Sequence, residues 1–394
     1  MAFGIRSLTT LAALLAASAF ADPPHNLILF VPDGLRAGIV DATTAPTFAR
    51  LRDEGVNFVN SHSLFPTFTT ANASAFATGH KLGDTGDFSN AIYSHFPMAS
   101  TGNTVTPFLE SDPVLREINA HFSQNYLNEA SIIALARAAG DSTALIGKLG
   151  PTAIFDVRSL DEPGDASRTL IIDDTTGKEG GAVPSEPWRK AFDTAGVPLL
   201  APSRGDNAYF GAFDKPGTLK ANTDQQHYFL DVAVKVALPA FKAAGQPFVL
   251  VYWSRDPDGT QHNQGDSFRS LTPGINGPTS LAAIKSADNA LAGLESKLKE
   301  LGLYETTDII VAADHGFSTI SKASKTSSAA SKAYDDVNTG ELPYGFLAID
   351  LAIALKKGDP TIKLFDPDHG NTEVDCERRM HPSKGNGLIG ADRG

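Results

Sequence analysis

Three short clusters in this 394-residue chain could hold metal ions. Asp33 stands in Val31-Pro32-Asp33-Gly34, Asp258 and His262 in Asp256-Pro257-Asp258-Gly259-Thr260-Gln261-His262, and Asp314 and His315 in Ala313-Asp314-His315-Gly316. Carboxylate oxygen and imidazole nitrogen are the ligands that zinc takes in catalytic sites. Each cluster alone reads more readily as a turn or a helix cap. Their coincidence, each just after an apolar run, points to metal binding. A fourth stretch, Phe65 to Gly79, carries hydroxyls at Thr67, Thr69 and Thr70 ahead of a run of good helix formers. A hydroxyl at a helix N-terminus either caps the helix or serves as a nucleophile, because the free N–H groups and the dipole favour an alkoxide and a bound phosphate. A threonine hydroxyl is a poor nucleophile unless a metal or base activates it.

The elements that must position these residues follow from the hydropathy pattern. Asn26 to Pro32 is a continuous apolar run suited to a buried parallel strand. A helix is predicted from Pro46, with proline at its first position and Gly55 at its end. Val56 to Val59 reads as a second short strand, and Thr143 to Gly147 and Thr169 to Ile172 as further ones. Residues 81–130 and 173–225 are rich in Gly, Pro, Ser and Asp, and read as long surface insertions. Tyr228 to Phe241 has helical spacing, Phe248 to Tyr252 is a strand, Leu281 to Leu301 a long amphipathic helix, and Asp308 to Ala312 a last strand. Ser318 to Lys332 is rich in Ser, Ala and Lys, which predicts a mobile loop. Strands alternating with helices imply an α/β fold with a mostly parallel sheet covered on both faces, and functional groups gather beyond its carboxyl edge.

Composition narrows the function classes. An apolar share of 42% suits a globular protein with a full core, and a formal charge of -12 argues against a nucleic-acid polymer as partner. Bound cations would still let such a chain handle a small anionic substrate. Residues 1–21 have the pattern of a cleavable export signal: Arg6, the apolar stretch Leu8 to Ala17, and Ala19-Phe20-Ala21 before the cut. That stretch is too short for a lasting membrane anchor, so a secreted or periplasmic location is expected. Cys376 is the one cysteine and forms no intramolecular disulfide.

Taken in order, the motifs resemble those of the alkaline phosphatase superfamily, and within it the type I phosphodiesterase/nucleotide pyrophosphatase branch. The matching residues are Asp33, Pro66-Thr67-Phe68-Thr69-Thr70-Ala71-Asn72, Asp258 with His262, and Asp314-His315-Gly316. In that superfamily the nucleophile lies nine residues before the Thr of a Thr-Gly pair, which selects Thr69 by counting back from Thr78. The resemblance implies a three-layer α/β/α domain over residues 22–394 and two divalent metals, expected to be zinc. One would be held by Asp33, Thr69, Asp314 and His315, the other by Asp258, His262 and a further histidine. It also implies that Thr69 attacks phosphorus to form a phospho-threonine, and that Asn72 donates a hydrogen bond to a phosphoryl oxygen. Asn72-Ala73-Ser74 fits the glycosylation pattern, but a glycan there would block such a site.

The sequence also departs from the family. After His315 only His369 and His381 remain as third ligand for the second metal, and the chain stops in a Gly-rich stretch from Gly385. This leaves a truncated, catalytically impaired metal-binding relative as one alternative, and a phosphomonoesterase as another. No Cys/Ser-x-Pro-x-Arg motif stands at the nucleophile, which sets sulfatases aside. Phe68 replaces the Asp that precedes the nucleophile of alkaline phosphatases proper, and Thr70-Ala71 replaces the Phe-Pro usual in the diesterase branch.

Overall fold

The computed structural model describes residues 25–161, 169–211, 215–268, 270–319, 323–334, 337–343, 346–366, 372–373 and 390–391. Five strands make one parallel sheet: β1 (Asn26–Pro32), β2 (Ser142–Gly147), β3 (Leu170–Asp173), β4 (Phe248–Ser254) and β5 (Thr307–Val311), in the order β3-β2-β4-β1-β5. Alternate residues of each strand feed two separate cores. Ile28, Phe30, Leu250 and Tyr252 pack on one face, and Leu29, Val31, Val251 and Trp253 on the other. Both faces are apolar because helices cover both, as parallel sheets require.

On the first face lie α1 (Pro46–Glu54), α5 (Glu186–Ala195), α6 (Thr223–Asp231) and α8 (Pro278–Glu300); on the second lie α2 (Thr69–Thr78), α3 (Asp112–His121) and α4 (Ile132–Ala139). The six-residue α7 (Asp258–Asn263) follows β4, and α9 (Phe346–Gly358) comes after the last strand of the sheet. Pro46 opens α1, and Gly79 ends α2 in the left-handed region at φ 73°. The expected helix from Tyr228 continues past α6 through a π-helical segment, Val232–Ala237, into Leu238–Ala244. A small sheet of Leu364–Asp366, Thr372–Glu373 and Gly390–Ala391 lies near the end of the chain.

Three expectations need correction. Val56 to Val59 forms no strand: Val56, Phe58 and Val59 are largely exposed, since β-prone residues make a strand only where a partner edge is available. Residues 81–130 and 173–225 are more than surface insertions. Met98, Leu109, Leu115 and Ile118 enter the second core, and Phe192, Val197 and Ala201 the first. Polar composition hid these anchors because a few buried apolar side chains suffice to pin a long loop. The segment predicted as a mobile loop is likewise pinned at Ala329 and Ala330, which are fully buried, while the Ala329 N–H donates to Asp350 on α9. The export signal, Cys376, His369 and His381 lie outside the described residues.

Candidate active site

Every sequence-predicted site residue that the structure describes lies at the carboxyl edge of the sheet. Asp33 follows β1, Asp258 and His262 lie on α7 beyond β4, Asp314 and His315 follow β5, and Thr69 opens α2. The sheet order makes β1 the neighbour of both β4 and β5, so the three acidic clusters meet. Backbone bonds lock the join: the Asp258 N–H donates to the Asp33 carbonyl (2.9 Å), and the Gly34 N–H donates to Asp314 Oδ1 (3.0 Å). Gly34 has φ +69°, and a Cβ there would stand 3.0 Å from Asp258 Cβ, so a side chain would both strain the backbone and push the two half-sites apart.

Asp33, Asp314 and His315 offer ligand atoms that all lie within 4.8 Å of one another. His315 Nε2 is 3.1 Å from Thr69 Oγ1, 3.4 Å from Asp314 Oδ2 and 3.6 Å from Asp33 Oδ1. Ligands on a tetrahedral zinc at about 2.0–2.1 Å stand roughly 3.3 Å from each other, so these spacings suit a single ion. On the other side, His262 Nε2 is 3.3 Å from Asp258 Oδ1. Asp33 Oδ1, Asp314 Oδ2 and Asp258 Oδ1 are buried with no hydrogen-bond partner. Buried carboxylate oxygens without donors are costly, and a divalent cation is what would satisfy them. The first donor set therefore fits one divalent ion, while Asp258 and the half-exposed His262 offer a pair of ligands in a second, more open half-site.

Burial, followed by repulsion from Asp314, pushes the Asp33 carboxyl well above the usual carboxylate range, and burial likewise raises Asp314. Asp258 is equally buried, yet the Lys148 ammonium and then His262 hold its carboxyl far below that range. Lys148 is a site residue that the sequence reading missed. Its Nζ is 2.9 Å from Asp33 Oδ2, 3.0 Å from Glu110 Oε1, 3.4 Å from Asp258 Oδ2 and 3.5 Å from Thr69 Oγ1. Burial opposes its charge, but Asp33, Glu110 and Asp258 together keep the ammonium protonated. A usable signal was present: Lys148 directly follows β2 at the same sheet edge as the acidic clusters. Trp253, the last aromatic of β4, donates its indole N–H to Asp33 Oδ2 (2.8 Å), and nothing in its apolar strand signalled that contact.

Asn72 lies one turn into α2 from Thr69. Its Oδ1 accepts from the Leu64 N–H (2.9 Å) and its Nδ2 donates to the Phe68 carbonyl (3.0 Å), so the amide braces the loop that leads into Thr69. Asn90 lies beside α2, its Oδ1 accepting from the Thr70 N–H (2.9 Å) and hydroxyl (3.1 Å). Asp87 fixes the same helix by accepting from Ser74 Oγ (2.7 Å) and Thr70 Oγ1 (3.3 Å); burial raises its carboxyl to about 6.

Residues 27–378 match the sequence profile of a family described as type I phosphodiesterase/nucleotide pyrophosphatase. Among curated protein sequences none matches significantly. Solved structures with a similar fold include murine ectonucleotide pyrophosphatase/phosphodiesterase 5, an inactive form in complex with AMP, at 18% identity, covering 76% of this chain and 59% of that one, with a TM-score of 0.42. Phosphonoacetate hydrolase from Sinorhizobium meliloti 1021, in complex with phosphonoformate, is 18% identical over 88% of this chain and 64% of its own, with a TM-score of 0.49. A sulfatase-like protein from Bacteroides fragilis is 16% identical over 75% and 63%, with a TM-score of 0.44. The chain thus spans about three fifths of the length of these solved structures. With that profile running through most of its length, the chain belongs to the type I phosphodiesterase/nucleotide pyrophosphatase family.

Proposed function

We propose that this chain is an exported, zinc-dependent hydrolase of small phosphate esters, phosphodiesters and nucleotide pyrophosphates foremost, with Thr69 as nucleophile. The observation that carries the reading is the position of Thr69 Oγ1, 3.1 Å from His315 Nε2 at the mouth of a cluster of partnerless buried carboxylate oxygens. Asp33, Asp314, His315 and Thr69 would hold one ion, and Asp258 with His262 the other. Ions bound there would supply positive charge to an in-line displacement and favour hydroxide at neutral pH. Thr69 Oγ1 forms the new bond to phosphorus while the ester oxygen leaves with its electron pair. Water then cleaves the phospho-threonine and restores the hydroxyl. Asn90, with its oxygen tied to Thr70 and its amide nitrogen unused among the described residues, is better placed than Asn72 to donate to a phosphoryl oxygen. The N-terminus of α2 adds its free N–H groups to the same end.

One observation favours a second reading, phosphomonoester hydrolysis. The buried Lys148 ammonium beside Thr69 adds a fixed positive charge, and a monoester presents two negative charges where a diester presents one. The test is turnover of bis(p-nitrophenyl) phosphate and p-nitrophenyl phosphate by the purified mature chain, with zinc content measured in parallel. Two zincs per chain are expected, with a loss of roughly four or more orders of magnitude in kcat on Thr69→Ala. Turnover that survives Thr69→Ala would remove the nucleophile assignment.

A further inference from the structure

Lys148 faces four oxygen-bearing side chains, and an ammonium has three N–H donors to share among them. Two of the four, Asp33 and Asp258, are the carboxylates that the metals of the proposed site would claim. Glu110 is the remaining carboxylate, and it has no place in either metal set. Its side chain is 12% exposed, with Oε1 3.0 Å from the ammonium.

The surroundings of Glu110 fix its backbone as well. Leu109 before it is fully buried, and Ser111 after it precedes α3. Gly150 presses on it so closely that a Cβ there would lie 2.6 Å from Glu110 Cα, with Gly150 held at φ +92°. A second buried cation, Arg255, feels the charge of Glu110. Arg255 is itself clamped by both oxygens of Asp174, at 3.0 and 2.8 Å, while Asp174 Oδ2 accepts the N–H of Leu149, next to Lys148 (2.7 Å). Glu110 therefore pairs with the buried Lys148 ammonium, within reach of the charge of Arg255, on a braced bend of the 81–130 segment.

We infer that Glu110 is a positioning residue: it holds the Lys148 ammonium beside Thr69 when metals engage Asp33 and Asp258, and so tilts the site toward phosphoryl groups that carry two negative charges. Without Glu110 the flexible lysine stem is free to swing from the phosphoryl position, because an ammonium is a point charge on a long chain. The loss should fall on dianionic substrates, which depend most on that charge.

This inference rests on the phosphate-ester reading above. The experiment uses the full zinc-loaded chain and compares wild type, Glu110→Gln, Lys148→Met and the double variant. Each is assayed with p-nitrophenyl phosphate and bis(p-nitrophenyl) phosphate, and zinc content is measured. Binding of inorganic phosphate is measured separately by calorimetry. The expected result is that Glu110→Gln lowers kcat/KM for the monoester about tenfold more than for the diester, as removal of a supporting partner does. Zinc content should stay at the wild-type level, and phosphate binding should weaken by a similar factor. The double variant should be no worse than Lys148→Met alone, and Glu110→Asp should recover part of the loss, which also separates positioning from misfolding. Equal losses on both esters, or additive effects in the double variant, would overturn the inference while leaving the phosphate-ester reading intact. A wild-type chain that hydrolyses neither ester and binds no phosphate would overturn both.

Discussion

The two halves of the candidate site are built from the same residue types, yet the fold treats them differently. Asp33, Asp314 and His315 come from the ends of two neighbouring strands and converge on Thr69, with both carboxylates fully buried. Asp258 and His262 come from one short helix, and the His262 side chain is 54% exposed. Charge separates them further. Burial raises both Asp33 and Asp314, with repulsion from Asp314 adding to it at Asp33, whereas Lys148 holds Asp258 ionised. The lesson is that a motif specifies ligand types, while the surrounding cations and the depth of burial decide which ligands need an ion most. The first half has the stronger demand for a divalent cation.

The sharpest way to break this comparison is to remove a ligand from each half. Asp314→Asn should release one zinc and cut activity by more than the ~10–100-fold that loss of an outer-shell partner costs. His262→Ala should weaken one zinc site with a smaller loss, since that imidazole is exposed and replaceable by water. Metal content and kcat/KM on the two variants check this; a larger effect from His262→Ala would reverse the ranking of the halves. A milder probe is Trp253→Phe, which removes the N–H from Asp33 Oδ2 and keeps an aromatic ring in the core. Zinc affinity of the first half should fall about tenfold while the second is unchanged, as read by competition with a chelator.

The smallest expected effect concerns an acidic pair away from the metals. Asp112 on α3 and Asp173 at the end of β3 are both fully buried, and Asp112 Oδ1 and Asp173 Oδ2 accept no donor. Burial, followed by the charge of Asp173, pushes the Asp112 carboxyl up to about 8. Here a proton takes the part that a metal would take in the active site. Because the folded-state value is raised, the folded chain holds an extra proton between about pH 4 and about pH 8. The stabilisation is full below that window and is lost as pH rises through it. Asp112→Asn should therefore flatten the decline in stability across this range, measured by urea unfolding at pH 5 and pH 8. Equal slopes in variant and wild type would show that the pair holds no such proton.

The α/β class and the strands at Asn26–Pro32 and Phe248–Tyr252, the latter running on to Ser254, are legible from the chain, as are Asp33, Thr69, Asp258, His262, Asp314 and His315 as candidates that the fold gathers at one sheet edge. Buried parallel strands leave long apolar runs, and polar residues just beyond them stand out. The exposed Val56 to Val59 misled the reading because strand propensity is a statement about packing that a local segment cannot supply.

What the amino-acid order determined by itself was the inventory of ligand types and their place at strand ends, since hydropathy and spacing are local properties. Only the tertiary structure decided which of those ends would touch. The order β3-β2-β4-β1-β5 brings Lys148, just after β2, onto the carboxylates of Asp33 and Asp258, with Glu110 paired to its ammonium and Trp253 of β4 donating to Asp33. The contacts to Asp33 and Asp258 join residues more than a hundred positions apart, and their strength depends on burial that no local pattern records. The chemistry offered by the site is written in its motifs, whereas its charge balance is a product of the fold.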